Sequence, residues 1–135
     1  MTDKLTFSLV SPARELFSGE VDHVIAPGSD GEFGVLANHA PFMSTLKNGV
    51  VRVLEGETVT MRIFVRGGFA DVTPDGLTIL AEEAKDLADV DASEVATELQ
   101  QTREELLKHP EGDGQHGALA ETVAYLEALH DAVAA

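Results

Sequence analysis

The sequence predicts an α+β protein, with an N-terminal antiparallel β-sandwich followed by a C-terminal antiparallel hairpin of two helices. Up to about residue 80, apolar residues alternate with polar ones and glycine-containing turns recur. After Asp86 the turns stop and apolar residues recur every three or four positions. Alternation is typical of half-buried strands, whereas the wider spacing is typical of amphipathic helices. This change of period predicts two domains, residues 1–86 and 87–135.

Alternating apolar residues indicate the strands of the first part. The clearest sets are Leu5, Phe7 and Leu9; Val59, Met61, Ile63 and Val65; and Leu77 and Ile79. Turn sequences separate the candidate strands at residues 27–31, 48–49, 55–56, 66–68 and 74–76, and glycine at a positive φ is expected in each. Strands spaced by roughly 8 to 12 residues favour an antiparallel sandwich or barrel, of about eight to ten strands.

Two apolar stripes at helical spacing follow Asp86. They are Val95, Leu99, Thr102 and Leu106, and then Leu119, Val123, Leu126, His130 and Val133. Asp91 and Glu94 have the spacing of a helix-capping pair, and Pro110 is expected to end the first helix. Residues 110–117 contain three glycines and predict a flexible connector. Two helices of about 17 residues, each about 25 Å long, are therefore expected to pack as a hairpin.

Charge and composition exclude several classes of function. The 135 residues include 24 acidic and 9 basic ones, for a net charge of −15, which repels phosphate groups and anionic lipid. Nucleic acid and direct membrane contact are therefore excluded as partners, and basic proteins are favoured. Residues 86–135 contain twelve acids against only Arg103 and Lys108, hence a net charge of −10. The absence of cysteine excludes disulfides and thiolate zinc sites, and no apolar run approaches the ~18 residues of a membrane span.

No pattern in the sequence predicts catalysis, a metal or a cofactor. The glycines of residues 28–34 do not have the spacing of a phosphate-binding loop. Asp30 and Glu32 lack the acid that a calcium loop carries at its twelfth position. Ser29, His39 and Asp30 have the residue types of a catalytic triad, but no nucleophile elbow accompanies them, so we do not predict one. We therefore expect a non-catalytic protein.

The histidines of the second part have structural explanations. His109 and His116 flank the glycine-rich connector, where we expect solvated side chains. His130 falls on the apolar side of the second helix, where we expect partial burial.

A long motif resembles a known family. Residues 27–53, PGSDGEFGVLANHAPFMSTLKNGVVRV, are similar to the epsilon subunit of F-type ATP synthases, whose pattern is a Gly-Ser-acid-Gly-Glu loop, a His-Ala-Pro loop and then Lys-x-Gly. LFSGEVDHV at 16–24, RGGFADV at 66–72 and LTILAEEA at 77–84 also agree. The resemblance covers residues 4–108 closely. It implies a β-sandwich of ten strands followed by a two-helix hairpin.

The resemblance also implies a function. Family members are non-catalytic central-stalk subunits of a proton-translocating ATP synthase, peripheral on the cytoplasmic side of the bacterial inner membrane. Their sandwich binds the gamma subunit and rests on the c-subunit ring, and so couples proton flow to ATP synthesis. The implied ring contacts are Ser29, Asp30 and Glu32, and the implied gamma contacts are His39, Pro41 and Phe42.

A regulatory alternative follows from the same resemblance. In many bacterial members the C-terminal helices contact the alpha and beta catalytic subunits and inhibit ATP hydrolysis through basic side chains, or sense ATP through an Ile/Leu-Asp-x-x-Arg-Ala motif. Residues 115–135 of this chain contain no Lys or Arg, and Glu94 stands where the motif has Arg. Acidic groups repel phosphate and acidic partners. We therefore expect no ATP binding and no electrostatic inhibition by the second helix.

Overall fold

The computed structural model describes residues 3–134, which form two compact units, one up to Ala88 and the other from Asp89. Ten strands lie in the described part of the first unit. They are β1 (Leu5–Val10), β2 (Glu15–Val21), β3 (His23–Gly28), β4 (Gly31–Leu36), β5 (Phe42–Thr45), β6 (Gly49–Glu55), β7 (Thr58–Arg66), β8 (Phe69–Thr73), β9 (Gly76–Leu80) and β10 (Glu83–Asp86). A 3-10 turn, Leu87–Asp89, follows β10.

The strands form two five-stranded sheets. The first sheet has the order β2-β1-β9-β8-β5, and the second has the order β10-β7-β6-β3-β4. All neighbours are antiparallel except β1 and β9, which run parallel with Phe7 opposite Leu77. The predicted sandwich of about ten strands is therefore confirmed, with one parallel pairing that joins the start of the unit to its end.

Local alternation explains most of the sandwich core. Leu5, Phe7 and Leu9 are buried, as are Leu77 and Ile79 on the neighbouring strand. The predicted alternation fails in the first half of β7, where Val59 is 41% exposed. The register of β6 and β7 shifts between Val53 and Leu54. Such a bulge changes which side of the strand faces the core.

Glycine at residues 48–49 has a different role from the predicted one. Gly31, Gly56, Gly67, Gly68 and Gly76 have the positive φ expected of their turns, but Gly49 does not, because it is already the first residue of β6. A Cβ atom at Gly49 would lie 2.8 Å from Cβ of Pro27 on β3. Close approach of two strands, and not backbone conformation, therefore requires glycine there.

An ion-pair cluster joins the two sheets at one end. Lys4, just before β1, places Nζ 2.6 Å from Asp22 Oδ1 and 2.9 Å from Oε2 of Glu55, the last residue of β6. The backbone N–H of Gly56 also donates to Asp22. The hydrogen bonds from Lys4 and then Gly56 lower the pKa of Asp22, and the two carboxylates raise the pKa of Lys4. The cluster is exposed, so its contribution to stability is reduced by solvent screening.

The second unit contains two helices, α1 (Ala92–Leu107) and α2 (His116–Ala134). Asp91 caps α1 by accepting the N–H groups of Ser93 and Glu94 at 2.8 and 3.3 Å. Hydrogen bonds from Ser93 and then Glu94 lower the pKa of Asp91. Arg103 of α1 lies 3.5 Å from Glu127 of α2, an ion pair between the two helices.

The predicted apolar stripes are partly correct. Val95, Leu99, Val123 and Leu126 are buried, and His130 is half-buried. Tyr125 and Leu129 are also buried, although neither belongs to the predicted stripe of the second helix. That helix therefore buries a wider band than one stripe. No helix within residues 3–134 combines the length and the apolar character that crossing a membrane requires.

Candidate functional site

The outer face of the first sheet carries apolar side chains in contact with water. Ala70, Ile79 and Leu9 are fully buried, so their strand neighbours Phe69, Leu80 and Val10 point to the opposite face. Polar residues are expected on the solvent-exposed face of an antiparallel sheet. The outer face of this sheet follows that expectation at Ser8, Thr78 and Asp71 but departs from it at Val10, Leu80 and Phe69.

Strand register gathers these residues into one row. Phe69 lies opposite Leu80, and Leu80 lies opposite Val10 across the parallel pair. Phe69 and Leu80 are each 41% exposed. Met43 is 65% exposed and lies opposite Asp71, in the next row of the same face. We call Val10, Met43, Phe69 and Leu80 the outer patch.

A shallow groove of about 410 Å³ runs along part of the outer patch. Its lining includes Val10, Phe69 and Leu80, together with Pro12 and Glu82. The groove is open and contains one carboxylate at its border. An apolar centre with a charged rim is the usual anatomy of a surface that binds another protein.

The short edge strand β5 separates the two loops that the resemblance implicates. Ser29 and Asp30 form the tip of the β3–β4 hairpin, and Ser29 bonds to Thr45 at the end of β5, through N–H to carbonyl at 3.0 Å and between the hydroxyls at 2.8 Å. The N–H of Lys47 donates to the carbonyl of Pro27 at 3.0 Å. The loop with His39 enters the opposite end of β5. Hydrogen bonds thus hold the hairpin tip in a fixed position against the sheet edge.

Within the hairpin, the two acids have different surroundings. Arg52 Nη2 lies 2.9 and 3.0 Å from the two carboxylate oxygens of Glu32, so the charge of Glu32 is already paired inside the chain. Asp30 is exposed and forms no ion pair with any residue from 3 to 134. Asp30 is therefore the acid of this hairpin that is available to a basic partner group.

The implied gamma contacts also differ among themselves. His39 is half-buried, and its Nδ1 donates to the carbonyl of Ala40 at 2.6 Å. Pro41 is exposed. Phe42 is 43% exposed and packs edge to face on Phe33, with ring centroids 5.2 Å apart. Phe42 lies opposite the buried Val72, so it closes the edge of the core and leaves the outer face to Met43.

Sequence reasoning missed Met43, Phe69 and Leu80. A signal was present in the pattern, because Leu80 follows the inward-facing Ile79 and so places an apolar side chain where alternation calls for a polar one. A single residue of this kind is common on protein surfaces. The alignment of four strands, β1, β9, β8 and β5, turns such residues into a patch.

The remaining candidate sites have structural partners. Ser29 bonds to Thr45 and His39 to Ala40, and in the described part of the chain no group of three acidic or histidine side chains is placed to hold a metal ion. The carboxylate of Asp91, in the stretch compared with the ATP motif, accepts N–H groups of α1. Glu94 adds a negative charge to the same helix turn.

Comparison with known proteins identifies the family. Residues 4–86 match the model of the "ATP synthase, Delta/Epsilon chain, beta-sandwich domain". The chain is 64% identical over 134 residues to the ATP synthase epsilon chain of Hyphomonas neptunium, covering 99% of each protein. It is 50% identical over 135 residues to that of Maricaulis maris, covering 100% of this chain and 99% of the other.

Solved structures share the fold. A chain of the Euglena gracilis mitochondrial ATP synthase, in a cryo-EM structure that includes the c-ring, is similar with a TM-score of 0.81 and 22% identity, over 96% of this chain and 81% of that one. A chain in the Tetrahymena thermophila central stalk and c-ring structure has a TM-score of 0.64 and 14% identity, over 98% of each. The family match and the relatives of nearly equal length together show that the chain belongs to the bacterial epsilon subunits of F-type ATP synthases.

Proposed function

We propose that this chain is a non-catalytic rotor subunit that joins the gamma subunit to the c ring and couples proton flow to ATP synthesis. The outer patch is the observation that carries the proposal. Neighbouring aromatic and aliphatic side chains on one exposed sheet face are typical of surfaces that bind proteins. Membership in the epsilon family supplies the complex in which such a surface is used.

The outer patch fits gamma as its occupant. Phe69, Leu80 and Val10 offer an apolar row, and Glu82 and Asp71 add acidic groups at the border. A partner with an apolar centre and a basic rim complements this surface in both respects. Residues 1–85 carry seven basic and twelve acidic side chains, a net charge of −5, which also favours a basic partner.

The hairpin tip fits the polar surface of the c ring. Transmitting torque requires a contact that does not drift under load, and the bonds from Ser29 to Thr45 and from Lys47 to Pro27 hold the tip against β5. Asp30 at this tip is free to pair with a basic group of the ring. Glu32 contributes less to that contact, because Arg52 already neutralises its charge.

A charge in the outer patch is expected to weaken gamma binding. Leu80→Asp would bury an unpaired carboxylate in the apolar contact, which costs several kcal/mol, so we expect the dissociation constant to rise by about a hundredfold or more. Val59→Asp is the matched control, because Val59 has the same 41% exposure but lies on the second sheet. The measurement is titration of purified gamma with each full-length variant. Equal binding by both variants, each shown to be folded by circular dichroism, contradicts the assignment.

Charge reversal at the hairpin tip is expected to reduce coupling. In the complete enzyme reconstituted into vesicles, Asp30→Lys should lower ATP-driven proton pumping severalfold, because a basic group of the ring would face a lysine. Asp75→Lys, the same change at the exposed β8–β9 turn, should leave pumping unchanged. Normal pumping by an enzyme that contains the Asp30→Lys variant would contradict the assignment of the hairpin tip to the c ring. It would not affect the assignment of the outer patch to gamma.

A further inference from the structure

The connector between α1 and α2 is held by a histidine with two acidic partners. His109 Nε2 lies 3.1 Å from Oε1 of Glu105 in the last turns of α1, and its Nδ1 lies 3.2 Å from Oδ2 of Asp113 in the connector. The His109 side chain is only 19% exposed. The expectation of a solvated side chain at His109 is therefore wrong, because Glu105 and Asp113 place a carboxylate at each ring nitrogen.

The two contacts together require a charged ring. A neutral imidazole has one N–H group and therefore donates at only one nitrogen, whereas the imidazolium donates at both. Ionised carboxylates only accept hydrogen bonds. Loss of the proton would place a ring lone pair against a carboxylate oxygen and break one of the two contacts.

Other groups around His109 support this arrangement. His116, the first residue of α2, donates from Nδ1 to the carbonyl of His109 at 2.7 Å. Asp113 also accepts the N–H of Gln115 at 2.8 Å, next to the start of α2. Lys108 lies 3.7 Å from the second carboxylate oxygen of Glu105 and competes weakly for that group. The imidazole of His109 thus contacts α1 and the connector, and the backbone carbonyl of the same residue contacts α2.

We propose that His109, Glu105 and Asp113 form a proton-dependent clasp that stabilises the turn of the helical hairpin when His109 is charged and loosens it when His109 is neutral. The clasp links the end of α1 to the connector that leads into α2, so proton concentration adjusts how firmly this turn is held. The proposal does not depend on which partner the sandwich binds.

The direction of the pH effect follows from the two partners. Asp113 and then Glu105 raise the pKa of His109 above its ordinary value of 6.5. Stability from the charged ring is therefore fully present below pH 6.5 and is lost as the pH rises through the raised pKa. Hydrogen bonds from the N–H of Gln115 and then from His109 lower the pKa of Asp113 below 3.8. The Asp113 carboxylate is therefore protonated, and lost as a partner of charged His109, only in stronger acid. The clasp is therefore strongest at pH values above the lowered pKa of Asp113 and below the raised pKa of His109.

Hydrogen exchange and imidazole NMR of the full chain test the clasp. After correction for intrinsic rates, protection of the amides of residues 113–119 should be severalfold higher at pH 6 than at pH 8.5, and the ¹⁵N shifts of His109 should show both nitrogens protonated at pH 6.5. In His109→Gln the pH dependence should disappear, whereas His130→Gln, which removes a half-buried histidine of α2 far from the connector in sequence, should keep it. Asp113→Asn should lower the pKa of His109. Persistence of the pH dependence in His109→Gln, or a His109 ring neutral at pH 6.5, would overturn the proposal.

Discussion

Replacing Phe7 with alanine is expected to lower the free energy of unfolding of the sandwich by about 3 to 5 kcal/mol. Phe7 is 0% exposed in the core and packs on the half-buried Phe17, with ring centroids 5.4 Å apart. Its removal leaves a cavity between two sheets whose strands are fixed by hydrogen bonds, so the surroundings collapse only partly. A loss of this size is a large fraction of the roughly 5 to 15 kcal/mol that stabilises a typical domain.

Phe69→Ala is the matched control for this prediction. Phe69 lies in the same sheet but on its outer face, and it is 41% exposed. The free energy of unfolding should decrease by less than half as much in Phe69→Ala as in Phe7→Ala. The Phe69→Ala variant should instead bind gamma more weakly. Unfolding in urea should be followed by circular dichroism of the strands, because Tyr125, the chain's single tyrosine, lies on α2 and reports on the helical unit. A Phe7→Ala loss of about 1 kcal/mol, the average for any substitution, would show that the core repacks freely.

Replacing Gly68 with alanine is expected to destabilise the sandwich by about 2 to 6 kcal/mol. Gly68 has a φ of +105°, and an added Cβ atom would overlap the carbonyl oxygen of Leu80 and lie 2.8 Å from Cα of Ala81. Backbone strain of this kind costs about 1 to 3 kcal/mol, and overpacking adds about 1 to 3 more. The carbonyl of Gly68 also accepts the N–H of Leu46 at 2.8 Å, so a displaced residue 68 weakens that bond.

A substitution at the neighbouring Gly67 distinguishes backbone strain from steric crowding as the reason for glycine at residue 68. Its φ is +60°, and an added Cβ atom would have Glu82 as its nearest neighbour at 3.7 Å, an ordinary contact distance. Gly67→Ala should therefore cost only about 1 to 2 kcal/mol for the left-handed conformation. Thermal and urea unfolding of both variants compare the two positions. Equal losses would mean that conformation alone, and not the approach of β9, requires glycine at residue 68.

Gly68 also connects stability with docking. It immediately precedes Phe69, and its crowded neighbour Leu80 is the next member of the outer patch. A shift of the backbone here moves both side chains relative to Val10. We therefore expect any folded Gly68→Ala protein to bind gamma more weakly than Gly67→Ala.

Features that depend on neighbours in the sequence were predictable. The alternation of Leu5, Phe7 and Leu9 predicts which side of β1 is buried, because side chains of a strand point to opposite faces in turn. Asp91 was identified as a cap from its position before a helical pattern. The contact between Glu105 and His109 is also local, since the two residues lie four positions apart at the end of α1, whereas the contact between His109 and Asp113 depends on how the connector turns.

Features that depend on strand register were not predictable from these patterns. The row of Phe69, Leu80 and Val10 exists only because β8 pairs with β9 and β9 pairs in parallel with β1, far away in the chain. The ion pair of Glu32 with Arg52 likewise requires β3 to lie between β4 and β6. The change in which side chains of β7 face the core depends on the bulge where β7 pairs with β6.

The sequence by itself determined the α+β class, the order of strands and helices, the acidity of the second unit and the family. Local periodicity, turn residues and one long motif determine these properties. Each of these features is recognisable without knowing which segments pair or pack together in the folded chain. Only the tertiary structure decided which exposed residues form the outer patch, that Asp30 and not Glu32 carries the unpaired charge of the hairpin, and that Gly68 has no room for a side chain. The physical reason is that each of these depends on distances between segments far apart in the chain, and strand pairing sets those distances.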